Sequence, residues 1–148
     1  MKRRLPAVGS EDGSVLPLTL FYGFLSIVLI LLVVAATSLY LERKRLFTLA
    51  DGAALAGAEA FDLDSVTLAA GGPRPRLASG DVATAVRDYL AVAPHDDIES
   101  LAVERAETVD GRSATVELSA NWRPPIVSLL VPKGLRIDVT AVARSVFF

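Results

Sequence analysis

From Gly13 to Leu41 the chain carries no charged side chain, and most of that run is Val, Leu, Ile, Phe and Ala. Basic residues flank it, with Lys2, Arg3 and Arg4 before and Arg43, Lys44 and Arg45 after. A helix crosses the hydrocarbon of a bilayer with about 20 apolar residues. The run therefore predicts a single transmembrane helix over residues 14–41, preceded by a short tail over 1–13. A cleaved secretory signal competes for the same segment, with Val34-Ala35-Ala36 as its small-residue cleavage site. Such a signal has an apolar stretch of only about 7–15 residues, and here helix-forming sequence continues through Tyr40-Leu41-Glu42-Arg43. An uncleaved anchor is the better reading. Because both flanks are basic, the positive-inside rule gives no orientation.

The anchor accounts for most of the 52% hydrophobic content. Roughly 100 residues follow it, enough for one small domain with its own core. A net charge of −2 gives no basic field to draw nucleic acid. Cysteine is absent, which excludes disulfides, thiolate metal sites and thiol nucleophiles.

Beyond the span, no proline interrupts residues 42–61 and alanine is abundant, so the helix is expected to continue as a juxtamembrane helix. Ala50, Ala54 and Ala58 lie four apart, with Gly57 beside them, forming a ridge of small side chains that allows close approach of another helix. Gly52 and Gly57 lower helix propensity, by on the order of 1 kcal/mol each, which close packing would explain. The ridge is read as an interface for a partner helix, with packing on the protein's own sheet, or alanine present for helix propensity alone, as the other readings.

Residues 62–79 read as a loop, since Gly71-Gly72-Pro73-Arg74-Pro75 does not fit regular structure. A second helix is predicted over 80–92, with Val82, Ala85, Val86, Tyr89 and Leu90 on one face, Ser79 or Asp81 as its cap, and Pro94 ending it. A β region follows. Leu101 and Val103 alternate with polar neighbours, and Asp110-Gly111 is a hairpin signal. Ala114, Val116, Leu118, Ala120 and Trp122 alternate with polar residues, as in a strand with one buried face. Residues 126–131 form a short apolar piece, read as one helical turn. A last strand over 135–146 places Leu135, Ile137, Val139, Ala141 and Ala143 on one face. The fold class is α+β: one N-terminal transmembrane helix continuing into a long juxtamembrane helix, then, over 62–148, a small domain with a short helix and a three-stranded antiparallel sheet.

No constellation for catalysis is visible. His95 is the only histidine, and a zinc site built on it would need three or more carboxylates. In Pro94-His95-Asp96-Asp97 it reads as a turn residue. No serine sits in a Gly-x-Ser-x-Gly elbow, and Gly71-Gly72-Pro73-Arg74 has no following Gly-Lys-Ser/Thr to cradle phosphate. Glu104, Glu117, Arg105 and Arg112 read as solvated charges facing one another across the hairpin. Trp122, at a strand end, reads as a core residue. No catalytic, cofactor-binding or metal-binding residue, and no small-molecule substrate, is inferred.

The stretch from Gly13 to Ala60 resembles the N-terminal region of the TadE/TadG-like proteins of tight-adherence (Flp) pilus systems. The residues that carry the likeness are Gly13-Ser14-Val15, the apolar span, Ser38-Leu39-Tyr40-Leu41-Glu42-Arg43-Lys44-Arg45-Leu46, and the Ala50–Ala58 piece Ala-Asp-Gly-Ala-Ala-Leu-Ala-Gly-Ala. The C-terminal part resembles the short actinobacterial type in size and position only. The resemblance implies a pseudopilin-like component of a pilus or related secretion machine in the bacterial cell membrane. It implies a cytoplasmic N-terminus and an extracytoplasmic head, contacts with lipid and with other pilus-assembly or pseudopilin subunits, and no enzyme activity. It also implies a prepilin-peptidase cut between Gly13 and Ser14. Leu18 stands where processed pilins commonly carry an acidic residue, and Ala35 and Ala36 stand where the family's span often carries one. Two other classes stay open at this point: a tethered extracytoplasmic binding or regulatory module, marked by a pocket lined by Trp122 and Tyr89, and a secreted protein released by signal cleavage.

Overall fold

The computed structural model describes residues 15–61, 67–69, 72–74, 76–124 and 134–145. One helix, α1, runs from Val15 to Glu59, 45 residues or about 68 Å at 1.5 Å per residue. Pro17 sits in its first turn, where no N–H is needed for an intrahelical bond. Nothing after Pro17 breaks the ladder, so the predicted span and juxtamembrane helix are one continuous element. Three hydroxyls along its apolar part are satisfied within the helix. Thr19, Ser26 and Thr37 each donate to the carbonyl four residues back, at 2.8, 2.8 and 2.9 Å. That arrangement suits a helix whose surroundings offer no water.

At its other end, α1 changes character. Leu46, Leu49, Ala50, Ala53, Ala54, Gly57 and Ala58 are buried, a stripe spaced three and four apart that marks the core-facing side of an amphipathic helix. The helix closes with Ala60 N–H donating to Gly57 O, and the Ser145 hydroxyl donates to the Ala58 carbonyl, supplying a partner to an end that has none within the helix.

Two three-residue strands, β1 (Thr67–Ala69) and β2 (Gly72–Arg74), pair antiparallel. This corrects the expectation that Gly72-Pro73-Arg74 is irregular. In a sheet of two strands both are edges, so proline's missing N–H can face away from the ladder. Helix α2 spans Ser79–Val92 and buries Val82, Val86 and Leu90, while Ala85 and Tyr89 lie at the margin of the same face. Its N-cap is Ala78, with no side-chain cap bond. Ser79, expected to cap, instead donates to Thr108 O and accepts from Thr108 N–H, both at 3.2 Å, tying the helix start to a distant turn.

Strands β3 (Ala102–Glu107), β4 (Ser113–Trp122) and β5 (Leu135–Arg144) form an antiparallel meander with β4 in the centre. The inward face of β4 is Ala114, Val116, Leu118, Ala120 and Trp122, all buried as the alternation predicts. Register pairs Val116 with Ala141 and Leu118 with Val139, so Val139, Ala141 and Ala143 continue that face. Leu135 and Ile137, nearer the start of β5, are exposed and half-buried. Strand β3 is less regular. An irregularity between Val103 and Arg105 shifts its register, and Val103 is exposed rather than inward. Asp110 and Gly111 do make the turn between β3 and β4. The Asp110 carboxylate accepts from the N–H of Arg112 and Ser113 at 2.8 and 2.7 Å, and Gly111 takes a φ of +68° that side chains disfavour. The predicted piece at 126–131 lies outside the described residues.

Helix α1 packs on β4 and β5, and α2 lies against α1 and β3. The two helices thus cover one face of the sheet, giving the expected α+β architecture.

Candidate functional site

The small-residue ridge is the first surface to place. Ala50 and Ala54 are fully buried, Ala58 nearly so, and all three belong to the core cluster with Val82, Val86, Val116 and Leu118. A Cβ at Gly57 would lie 3.0 Å from Val82 Cγ1 and 3.2 Å from the Ala114 Cβ. The ridge packs on the protein's own α2 and sheet, the second of the two packing readings its spacing allows. The physical reason is the size of the head. Three strands and a 14-residue helix cannot enclose a core without a further wall, and small side chains on α1 let that wall approach closely. Gly52 has a related cause, since a Cβ there would collide with the Tyr89 hydroxyl, whose ring lies across α1. Ala54→Leu should overpack this core and destabilise the fold by about 1–3 kcal/mol. The check is a thermal melt of the full chain in detergent, and an unchanged Tm would place Ala54 outside the core.

Gly13 and Ser14 lie outside the described residues. The apolar part of α1 that follows them is exposed over most of its length, with Leu31, Ala35, Ser38 and Leu39 half-buried, and no residue of its most apolar window is buried. This separates it from the core helix of a soluble protein, which would be covered. By length and composition it is a candidate membrane span.

The head joins that span without a stalk. Trp122 is buried at the end of β4, as expected, and its indole Nε1–H donates to Ser38 Oγ at 3.2 Å. Ser38 lies within the uncharged run, so the Trp122 end of the sheet sits at the top of the span. Just beyond, Leu41, Lys44, Thr48 and Leu49 share one side of α1 and face Pro94, His95, Asp96 and Asp97 across a half-open cleft of about 510 Å³. Tyr89 lines this cleft and Trp122 does not, so the pocket shared by those two residues is not found there. His95 Nδ1 lies 2.8 Å from Ala93 O, so that nitrogen carries the proton it donates. Ile98 N–H donates to His95 O at 2.9 Å, which makes His95-Asp96-Asp97-Ile98 a turn, as read from sequence. Among the described residues no group of three or more His, Asp or Glu converges as a metal site.

The sheet's outer face carries a charge ladder. Glu104 accepts from Ser119 Oγ at 2.6 Å and from Arg136 at 3.0 Å, Arg136 also binds Asp138 at 2.9 Å, and Arg105 lies 3.7 Å from Glu117 across the strands. The Ser119 hydroxyl first, and the Arg136 guanidinium next, hold the Glu104 carboxyl below the ordinary carboxylate range. The N–H groups of Arg112 and Ser113 do the same for Asp110. Groups with depressed pKa values add stability above their unfolded pKa of about 4, and this is lost as pH falls through the lower folded value. Glu104→Gln should therefore shrink the loss of Tm between about pH 6 and pH 3. An identical acid limb in wild type and variant would contradict the account.

Residues 13–60 match the family model of the putative Flp pilus-assembly TadE/G-like proteins. The matched segment is α1 almost to the residue, span and core stripe together. No curated protein and no solved structure matched the chain. Over its N-terminal third the chain is therefore similar to the TadE/G-like proteins.

Proposed function

We propose that the chain is a membrane-anchored, pseudopilin-like structural component of the Flp pilus-assembly apparatus, without enzymatic activity. The observation that carries this reading is the coincidence of the family match at 13–60 with a helix that is bare and apolar at one end and core at the other. Such a subunit needs an anchor, a folded head and surfaces for neighbouring subunits. In this reading the N-terminus is cytoplasmic, residues 76–145 lie outside the cell, and a prepilin peptidase cuts between Gly13 and Ser14. Partner contacts fall on parts of α1 that the head leaves uncovered, where Phe47 and Leu55 are half exposed, rather than on the buried Ala50, Ala54 and Ala58.

Deletion and complementation in pilus-forming cells test the role. Loss of the chain should abolish filaments, and the wild type should restore them. Protease added to spheroplasts should remove the head, and intact mass should begin at Ser14. Normal filaments without the chain would overturn the assembly role. A protected head would reverse the topology, and a retained Met1 would remove the processing step.

A further inference from the structure

We infer that the cleft between α1 and the 94–98 turn binds one phospholipid through a phosphoethanolamine headgroup. This rests on the membrane-anchored reading. The uncharged stretch of α1 from Val15 to Leu41 is about 40 Å long, close to the roughly 40–45 Å of a bilayer with its headgroup layers. Leu41, at the foot of the cleft, therefore stands at headgroup level. Lys44 and Arg45 follow one turn further on, and long basic side chains bend back toward phosphates at that depth.

The charges of the cleft come in two sets on opposite walls. Lys44 and Arg45 lie on the α1 wall, and Asp96 and Asp97 on the turn. All four are exposed, and none of them forms an ion pair among the described residues. Two cations would suit the phosphate of any phospholipid, with the guanidinium offering a fork of N–H donors. Two facing carboxylates would repel a purely anionic headgroup, yet they complement an ammonium group. A primary ammonium brings N–H donors for those carboxylates and a trimethylated one brings none, so phosphoethanolamine is favoured over phosphocholine and phosphoglycerol. The acyl chains leave past Leu41 along the bare surface of α1.

The test uses the full chain in nanodiscs of phosphatidylethanolamine, phosphatidylglycerol and phosphatidylcholine in equal parts. Native mass spectrometry then reads the lipid that stays bound. One retained phosphatidylethanolamine is expected, about tenfold over phosphatidylcholine. Lys44→Gln with Arg45→Gln should abolish retention. Asp96→Asn with Asp97→Asn should keep retention but shift it toward phosphatidylglycerol. Because these side chains are exposed, matched thermal melts confirm that the variants fold. Equal retention of the three lipids, or retention unchanged by both pairs of substitutions, overturns the headgroup site while the chain's presence in the discs upholds the anchor. Failure to enter the discs at all would instead refute the anchor.

Discussion

Val28→Arg combined with Leu31→Arg should release the chain from membranes. Both positions lie near the middle of the uncharged run, Val28 exposed and Leu31 half-buried. An arginine at the centre of a membrane helix costs about 2.5–3.5 kcal/mol of insertion free energy. Two together approach the whole margin by which a single span is held. After alkaline washing the wild type should stay in the pellet and leave only with detergent, and the double variant should appear in the soluble fraction. The head of the released variant should keep its Tm, since its core draws only on α1 from Leu46 onward. Release of the wild type by carbonate would refute the span.

Leu46→Ala should do the reverse. Leu46 is fully buried and among the largest side chains in the core, on the same helix only five residues past the uncharged run. Truncating such a leucine removes its transfer energy and leaves a cavity, together about 2–5 kcal/mol. For a head of this size that is a large share of the whole stability. The variant should melt far below wild type, or expose protease sites in the head at growth temperature, while its fractionation with membranes is unchanged. The two variants thus separate the functions of one helix.

Much of this architecture is legible in the residues. Alternation alone places all five inward residues of β4, because a half-buried strand has no other way to satisfy its period. The uncharged run and the small-residue stripe of α1 are equally plain, though not what the stripe meets. What sequence misses is whatever depends on a distant partner. Spacing shows that Ala50, Ala54 and Ala58 meet something close, but three-and-four periodicity is the same whether the neighbour belongs to the same chain or another. Ser79 looks like a cap and is drawn instead to Thr108, 29 positions away. Val103 has the residue type of an inward strand position, and the register shift beside it leaves no local signature. The cleft is invisible for the same reason. Its basic wall is a run on α1, its acidic wall follows α2, and only the fold brings them opposite each other.

In the proposed reading one continuous helix lies in lipid at one end and in the protein's own core at the other. Because the chain has no cysteine, single cysteines report on it without background. Val28→Cys, Phe47→Cys and Ala54→Cys, labelled in native membranes by a membrane-impermeant maleimide, test both ends at once. Phe47→Cys should react. Val28→Cys should react only after detergent, and Ala54→Cys only after the head is unfolded. Prompt labelling of Ala54→Cys in the folded protein would place that residue outside the core, and labelling of Val28→Cys in intact membranes would place the apolar part of α1 outside lipid.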